Sequence, residues 1–126
     1  MTLIVALALG GCSGGIPPAN TRLNGSRLVP CPSSNCVLSL ASAESHRVAA
    51  LRYGGHSGDE VQAQSQLLSV LKGMERVHIV RVEEGYIHSE FRSALHGFVD
   101  NDEFLFDSPG AIQMRLASRL GSAVFG

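Results

Sequence analysis

The chain predicts an α+β domain: an antiparallel meander sheet of four to five strands with one amphipathic helix packed on one face. Three observations carry that expectation. Residues 86–119 alternate apolar and polar side chains and are cut twice by turn residues, the pattern of antiparallel strands on short connections. A stripe of apolar residues at helical spacing precedes them. The length of 126 residues, with 44% hydrophobic and 17% charged content, suits one ordinary globular domain.

The N-terminus reads as a processing signal. An apolar run over residues 3–9 leads into Gly10-Gly11-Cys12. The tetrapeptide Leu9-Gly10-Gly11-Cys12 resembles the lipobox of a bacterial lipoprotein signal. That resemblance implies cleavage before Cys12 and lipidation of Cys12, where several acyl chains anchor stably and a single chain would be marginal. The division it suggests is a signal peptide over 1–11, a flexible tether over 12–30 with Gly and Pro in its first part, and a domain over 31–126. No Lys or Arg precedes Arg22, whereas secretory signals start with positive charge. The alternative is an apolar first strand with a buried Cys12, for which the Gly and Ser neighbours are poor residues. No apolar run approaches the roughly 18 residues of a membrane-spanning helix.

Setting Cys12 aside leaves Cys31 and Cys36, an even count behind an export signal. A disulfide is the economical reading. Pro32-Ser33-Ser34-Asn35 can turn back and bring the two Cα atoms within bridging distance. So small a loop contributes on the order of 2 kcal/mol. A zinc site needs more ligands than two Cys and His46 supply, and a redox centre would usually show Cys-x-x-Cys.

Residues 37–46 have no clear period. Residues 46–53 read as a first strand, ended by Gly54-Gly55. Ser57-Gly58-Asp59-Glu60 then matches a capping box, with Asp59 and Glu60 complementing the helix dipole. Leu67, Leu68, Val70, Leu71 and Met74 form the apolar stripe of a helix of about four turns, and Gly73 marks its end. Residues 77–83 read as a strand, Glu84-Gly85 as a tight turn, and residues 86 to about 95 as the returning strand. Asp100-Asn101-Asp102 is expected to turn into a strand over 103–106. Asp107-Ser108-Pro109-Gly110 is expected to turn into a strand over 112–119.

Period-two counting assigns the faces. Val80, Val82, Ile87, Phe91, Phe104, Phe106, Ile112, Met114 and Leu116 are expected under the helix. Ile79, Arg81, Tyr86, His88, Glu90, Arg92, Gln113 and Arg115 fall on the other face. Two readings of that polar face stay open. One is a solvated sheet surface knitted by cross-strand charge pairs. The other is a binding surface for an anionic lipid or glycan, with Arg81, Tyr86, His88, Glu90, Arg92 and Arg115 as candidate ligand-binding residues. An enzyme on the same face would use His88 and Glu90 for proton transfer and Arg92 and Arg115 to hold negative charge.

Other chemistry finds little support. The net charge of −1 gives no pull toward nucleic acid, and nine Arg against the single Lys72 is a compositional bias that also suits anion contacts. The five His lack His-x-x-x-His spacing, no Ser sits in a Gly-x-Ser-x-Gly elbow, and no glycine-rich phosphate loop occurs. Asp100, Asp102, Glu103 and Asp107 lack the spacing of a calcium loop. No catalytic residue, metal or cofactor is assigned.

Pro30-Cys31-Pro32-Ser33-Ser34-Asn35-Cys36 resembles the Cys-Pro-x-Ser-Pro-Asn-Cys signature of an uncharacterised family, domain of unknown function fourteen-ninety-nine, found in bacterial envelopes and plastids. Tyr86-Ile87-His88-Ser89-Glu90-Phe91-Arg92-Ser93 with Gly97-Phe98-Val99-Asp100 resembles its second signature. Arg115-Leu116-Ala117-Ser118-Arg119-Leu120-Gly121 resembles its third. The resemblance implies an envelope location and no established activity. The cysteine loop here is one residue shorter, Asp102 stands where the family has an apolar residue, and Leu116 replaces a Ser. Ser122-Ala123-Val124-Phe125-Gly126 stands where the family continues Tyr-Ser-Asp-Phe-Gly and a basic tail, so a truncated or divergent C-terminus is expected. The functional expectation is a periplasm-facing envelope lipoprotein whose domain binds or scaffolds, with the membrane as its partner through the lipid anchor.

Overall fold

The computed structural model describes residues 27–31, 34–54, 59–95 and 97–119. Cys12, the signal, nearly all of the tether and the Ser57 cap lie outside the described residues. The elements are β1 (Cys36–Leu38), a 3-10 turn (Glu44–His46), β2 (Leu51–Arg52), α1 (Asp59–Gly73), β3 (Val77–Glu83), β4 (Tyr86–Arg92), β5 (Val99–Ser108) and β6 (Ala111–Ser118). Strands β3 to β6 form the expected antiparallel meander. The sheet order is β1-β6-β5-β4-β3, with β2 also pairing β6. The architecture is α+β.

Helix α1 lies on one face over β3 and β4. Ala63, Leu67, Leu68 and Leu71 recur at helical spacing and meet Ile87, Phe104, Phe106, Ile112 and Met114 of the sheet. The stripe is narrower than expected: Val70 is 61% exposed and Met74 47%. At the end of the helix nearest β3–β4, the Gln64 side chain donates to Glu83 O at 2.7 Å and accepts from Gly85 N at 2.9 Å. That docks the helix on the β3–β4 turn, which needs Gly85 because its φ is 73°.

Three strand assignments are corrected. Residues 46–53 pair with the sheet only through Leu51 and Arg52, apart from one bridge between Arg47 and Leu38. Arg47 spends its guanidinium on the carbonyls of Ala41 and Ser42 instead. The first strand is β1, inside the stretch read as aperiodic, and it pairs Cys36, Val37 and Leu38 with Ala117, Leu116 and Arg115. Asp100-Asn101-Asp102 is no turn. Strong pairing to β4 on one side and β6 on the other overrides the low strand propensity of Asp and Asn. The turn falls earlier, where Ser93 N donates to Phe98 O at 2.8 Å and Gly97 has a φ of 67°.

A bulge between Ile79 and Arg81 also changes the faces of β3. Ahead of it, Val77 and Ile79 oppose Phe91 and Ser89 and pack under the helix. Beyond it, Arg81 opposes His88 and Val82 opposes Ile87. Ile79 therefore belongs to the core, whereas Val80 is 39% exposed and Val82 46%.

The second face is not solvated. Leu28, Leu38, Tyr86 and Leu105 form a second buried cluster on it, with Cys31 and Ala41 against them. The segment 27–31 runs back over the sheet and is fastened there by the Cys31–Cys36 disulfide, whose Cα atoms are 5.4 Å apart. Among the described residues no helix is long and apolar enough to cross a membrane.

Phe106 is 3% exposed at the centre of the helix–sheet core. Phe106→Ala is expected to lower the free energy of unfolding by about 3–5 kcal/mol in a denaturant titration. Val80→Ala, at the exposed bulge, should stay within about 0.5 kcal/mol.

Candidate functional site

The polar face forms two cross-strand rows. In the first, Arg81, His88, Glu103, Arg115 and Leu38 are successive partners across β3, β4, β5, β6 and β1. In the second, His78, Glu90, Asn101, Ala117 and Cys36 line up in the same way. Their centre is buried: Asn101, Glu103 and Arg115 have no exposed surface and His88 has 5%.

From beside the first row, Tyr86 donates its hydroxyl to Glu103 Oε1 at 2.5 Å. Arg115 Nη1 donates to Glu103 Oε2 at 3.3 Å, and Arg115 Nη2 reaches the Pro30 carbonyl at 3.5 Å. Burial pushes the Glu103 carboxyl up, while the Tyr86 hydrogen bond and the Arg115 charge hold part of that rise back. Burial, then the Glu103 carboxylate, pushes the Tyr86 phenol far up, so it remains a donor.

The second row is joined to the first through His88. Its Nε2 lies 3.0 Å from Asn101 Oδ1, an acceptor, which makes Nε2–H the donor. Burial lowers the His88 pKa against the pull of Asn101 and Glu90, so the imidazole is neutral. Asn101 Oδ1 also accepts from Arg119 Nη2 at 3.4 Å, and Arg119 is ion-paired with Glu90. Asn101 Nδ2 and Arg115 Nε are buried without a hydrogen-bond partner among the described residues.

The six candidate ligand-binding residues therefore part company. Tyr86, His88 and Arg115 lie inside the network, and Glu90 is drawn to its margin by Arg119. Arg81 is half exposed and pairs with Glu83 at 3.3 Å. Arg92 is half-buried, with Nη1 donating to Gly97 O at 2.9 Å. Arg92 and Glu90 also line an open cleft of about 280 Å³, together with Arg76, Val77, His78 and Val99. Sequence reasoning missed Glu103, Asn101, Arg119, Arg76 and His78. Asn101 was hidden by the misplaced turn, whereas Glu103 opened the expected strand over 103–106 and was left out of its polar face. Counting by twos from Arg115 through a continuous β5 would have placed Glu103 opposite it.

On the helix side, Asp100 and Asp102 alternate along β5 opposite Phe91 and Ser89. Burial raises both, and the Asp100 charge adds to the rise at Asp102, which is pushed up to about 7. Among the described residues no group of three or more His, Cys, Asp or Glu could hold a metal ion.

Removing one partner of the buried pair strands the other charge. Arg115→Ala is expected to cost about 3–5 kcal/mol in equilibrium unfolding, more than Arg81→Ala, whose exposed pair is worth about 0–1 kcal/mol. For Asp102, the folded state holds its proton up to about pH 7, whereas an unfolded Asp loses it near pH 4. The folded state thus binds more protons between those limits, and stability falls as pH rises through them, by on the order of 2–4 kcal/mol. Unfolding midpoints measured across that range should fall for the natural chain and stay flatter for Asp102→Asn.

No curated protein and no solved structure matches this chain. A family model described as a protein of unknown function (DUF1499) matches residues 27–126. That span takes in the disulfide, the meander and both rows of the buried network, and the chain belongs to the DUF1499 family.

Proposed function

We propose that this chain is a cell-envelope lipoprotein, held at the membrane through lipid on Cys12, whose periplasm-facing domain binds or scaffolds rather than catalyses. The observation that carries the second half is that His88, Glu90 and Arg115 are each engaged by a neighbouring side chain of the polar face. His88 is buried and donates to Asn101, Glu90 is paired with Arg119, and Arg115 with Glu103. A general base must reach a substrate proton, and an Arg that holds developing charge must face it. These side chains face one another, which favours a rigid platform over an enzyme working through His88 and Glu90. The Cys31–Cys36 disulfide supports export, because such bridges persist in oxidising compartments.

Lipidation is read by labelling bacteria that express the full chain with a tagged fatty acid. The expected outcome is label on the natural chain, in the membrane fraction, and none on Cys12→Ser. Label that survives in Cys12→Ser would sink the anchor, and with it the envelope reading.

A further inference from the structure

Where β3 begins and β4 ends, the sheet leaves the cleft lined by Arg76, Val77, His78, Glu90, Arg92 and Val99. We propose that this cleft binds a phosphate group carried on a small polyol, as a phosphomonoester or phosphodiester. The inference deepens the binding reading above and rests on it only for the envelope setting.

The charges in the cleft do not cancel. Its carboxylate, Glu90, is ion-paired with Arg119 from β6's end. Arg76 and Arg92 remain as two guanidinium groups, with the exposed His78 beside them. Arg76 does meet Glu75 at 3.5 Å, but Glu75 is 91% exposed, and water screens a pair of that kind.

Both guanidinium groups are held in place. The Arg92 head is aligned by its bond to Gly97 O at 2.9 Å. Arg76 sits over the Phe91 ring, 5.9 Å from its centroid. Its backbone has a φ of 62°, in the left-handed region that side chains other than glycine rarely adopt. The Arg76 carbonyl accepts from Arg92 N at 2.9 Å, which ties the two residues together and fixes that conformation. Strain of this kind persists where the surroundings over-determine it, and it gathers at ligand clamps.

Guanidinium forks match the oxygens of a phosphoryl group better than a single ammonium would. The cleft of about 280 Å³ is larger than one phosphate needs, and Val77 and Val99 give it an apolar flank for a carbon skeleton. A lipid headgroup and a soluble phosphoester share this chemistry.

The test is a detergent-free titration of the full-length chain carrying Cys12→Ser, which has no acyl chains to enter a vesicle, followed by NMR of the arginine side chains. The probes are inorganic phosphate, glycerol phosphate, and phosphatidylcholine vesicles with and without phosphatidylglycerol. Saturable binding is expected for the soluble probes. It should weaken about tenfold in Arg92→Gln and in Arg76→Gln, and fall as salt rises from about 50 to about 500 mM. Arg81→Gln, outside the cleft, should bind like the natural chain. The Arg76 side chain is 43% exposed, so Arg76→Gln keeps the test valid if Arg92→Gln fails to fold. Vesicle binding that needs both phosphatidylglycerol and Arg76 assigns the phosphate to a lipid headgroup, and binding of soluble probes alone assigns it to a soluble phosphoester. No saturation below about 10 mM of any soluble probe, or equal losses in Arg81→Gln, overturns the site. An anchored chain that ignores phosphate would lose the cleft and keep the envelope reading. Phosphate binding by a chain never labelled at Cys12 would do the reverse.

Discussion

Glu103 and Arg115 lie 3.3 Å apart with no exposed side-chain surface, and the rest of the fold is arranged so that they can. Desolvating such a pair costs several kcal/mol per ion unless geometry and further hydrogen bonds compensate. Tyr86 supplies one bond from β4 and the Pro30 carbonyl another from the segment that crosses the sheet. That segment stays over Arg115 because Cys31 is bonded to Cys36, which sits on β1 two residues before Leu38, the β1 partner of Arg115. The small disulfide loop closes little chain, so its contribution through loop entropy is modest. Its larger role is placement: it sets a carbonyl and Leu28 over a charge that would otherwise meet water.

The sheet thus separates two interiors of different character. Under the helix, Ile87, Phe104, Phe106, Ile112 and Met114 make an apolar layer. On the opposite side, charged and amide groups form rows that run strand to strand, ending toward the cleft at His78 and Glu90. An apolar core tolerates shifts that keep volume, whereas a hydrogen-bonded network fixes register because a shift of one residue would part its buried donors from their acceptors. The cleft inherits that definition: Glu90 is positioned by Arg119, and Arg119 in turn by Asn101.

The meander and the helix were legible in the sequence because their signals are local. Alternation in residues 77–92, the Glu84-Gly85 turn and the 67–71 stripe need no partner to be recognised. The Cys31–Cys36 bridge was legible from cysteine count and spacing. Burial of the polar face was not, since a row of Arg, His and Glu reads alike whether water or segment 27–31 covers it. Asp100-Asn101-Asp102 misled for a related reason: propensity favours a turn there, and only pairing on both sides holds it extended. The bulge at Val80 has no marker in a run of β-branched residues, so the faces of Ile79 and Val80 were exchanged. Of the candidate ligand-binding residues, Arg92 and Glu90 do line the cleft. Arg76 was missed because its importance comes from a left-handed backbone after the helix.

The same bulge has a bearing on how the molecule behaves in a crowd of its own copies. Strand β3 ends the sheet path, and a flat terminal strand offers its outer amides and carbonyls to any extended chain. The irregularity between Ile79 and Arg81 breaks the even repeat of those groups, so a foreign strand in register on one side of Val80 falls out of register on the other. Two exposed valines, Val80 and Val82, can then sit beside Arg81 and Glu83 on a border that resists templated growth. At high local concentration, as on the membrane surface proposed above, a border of that kind favours solitary domains over fibrous stacks.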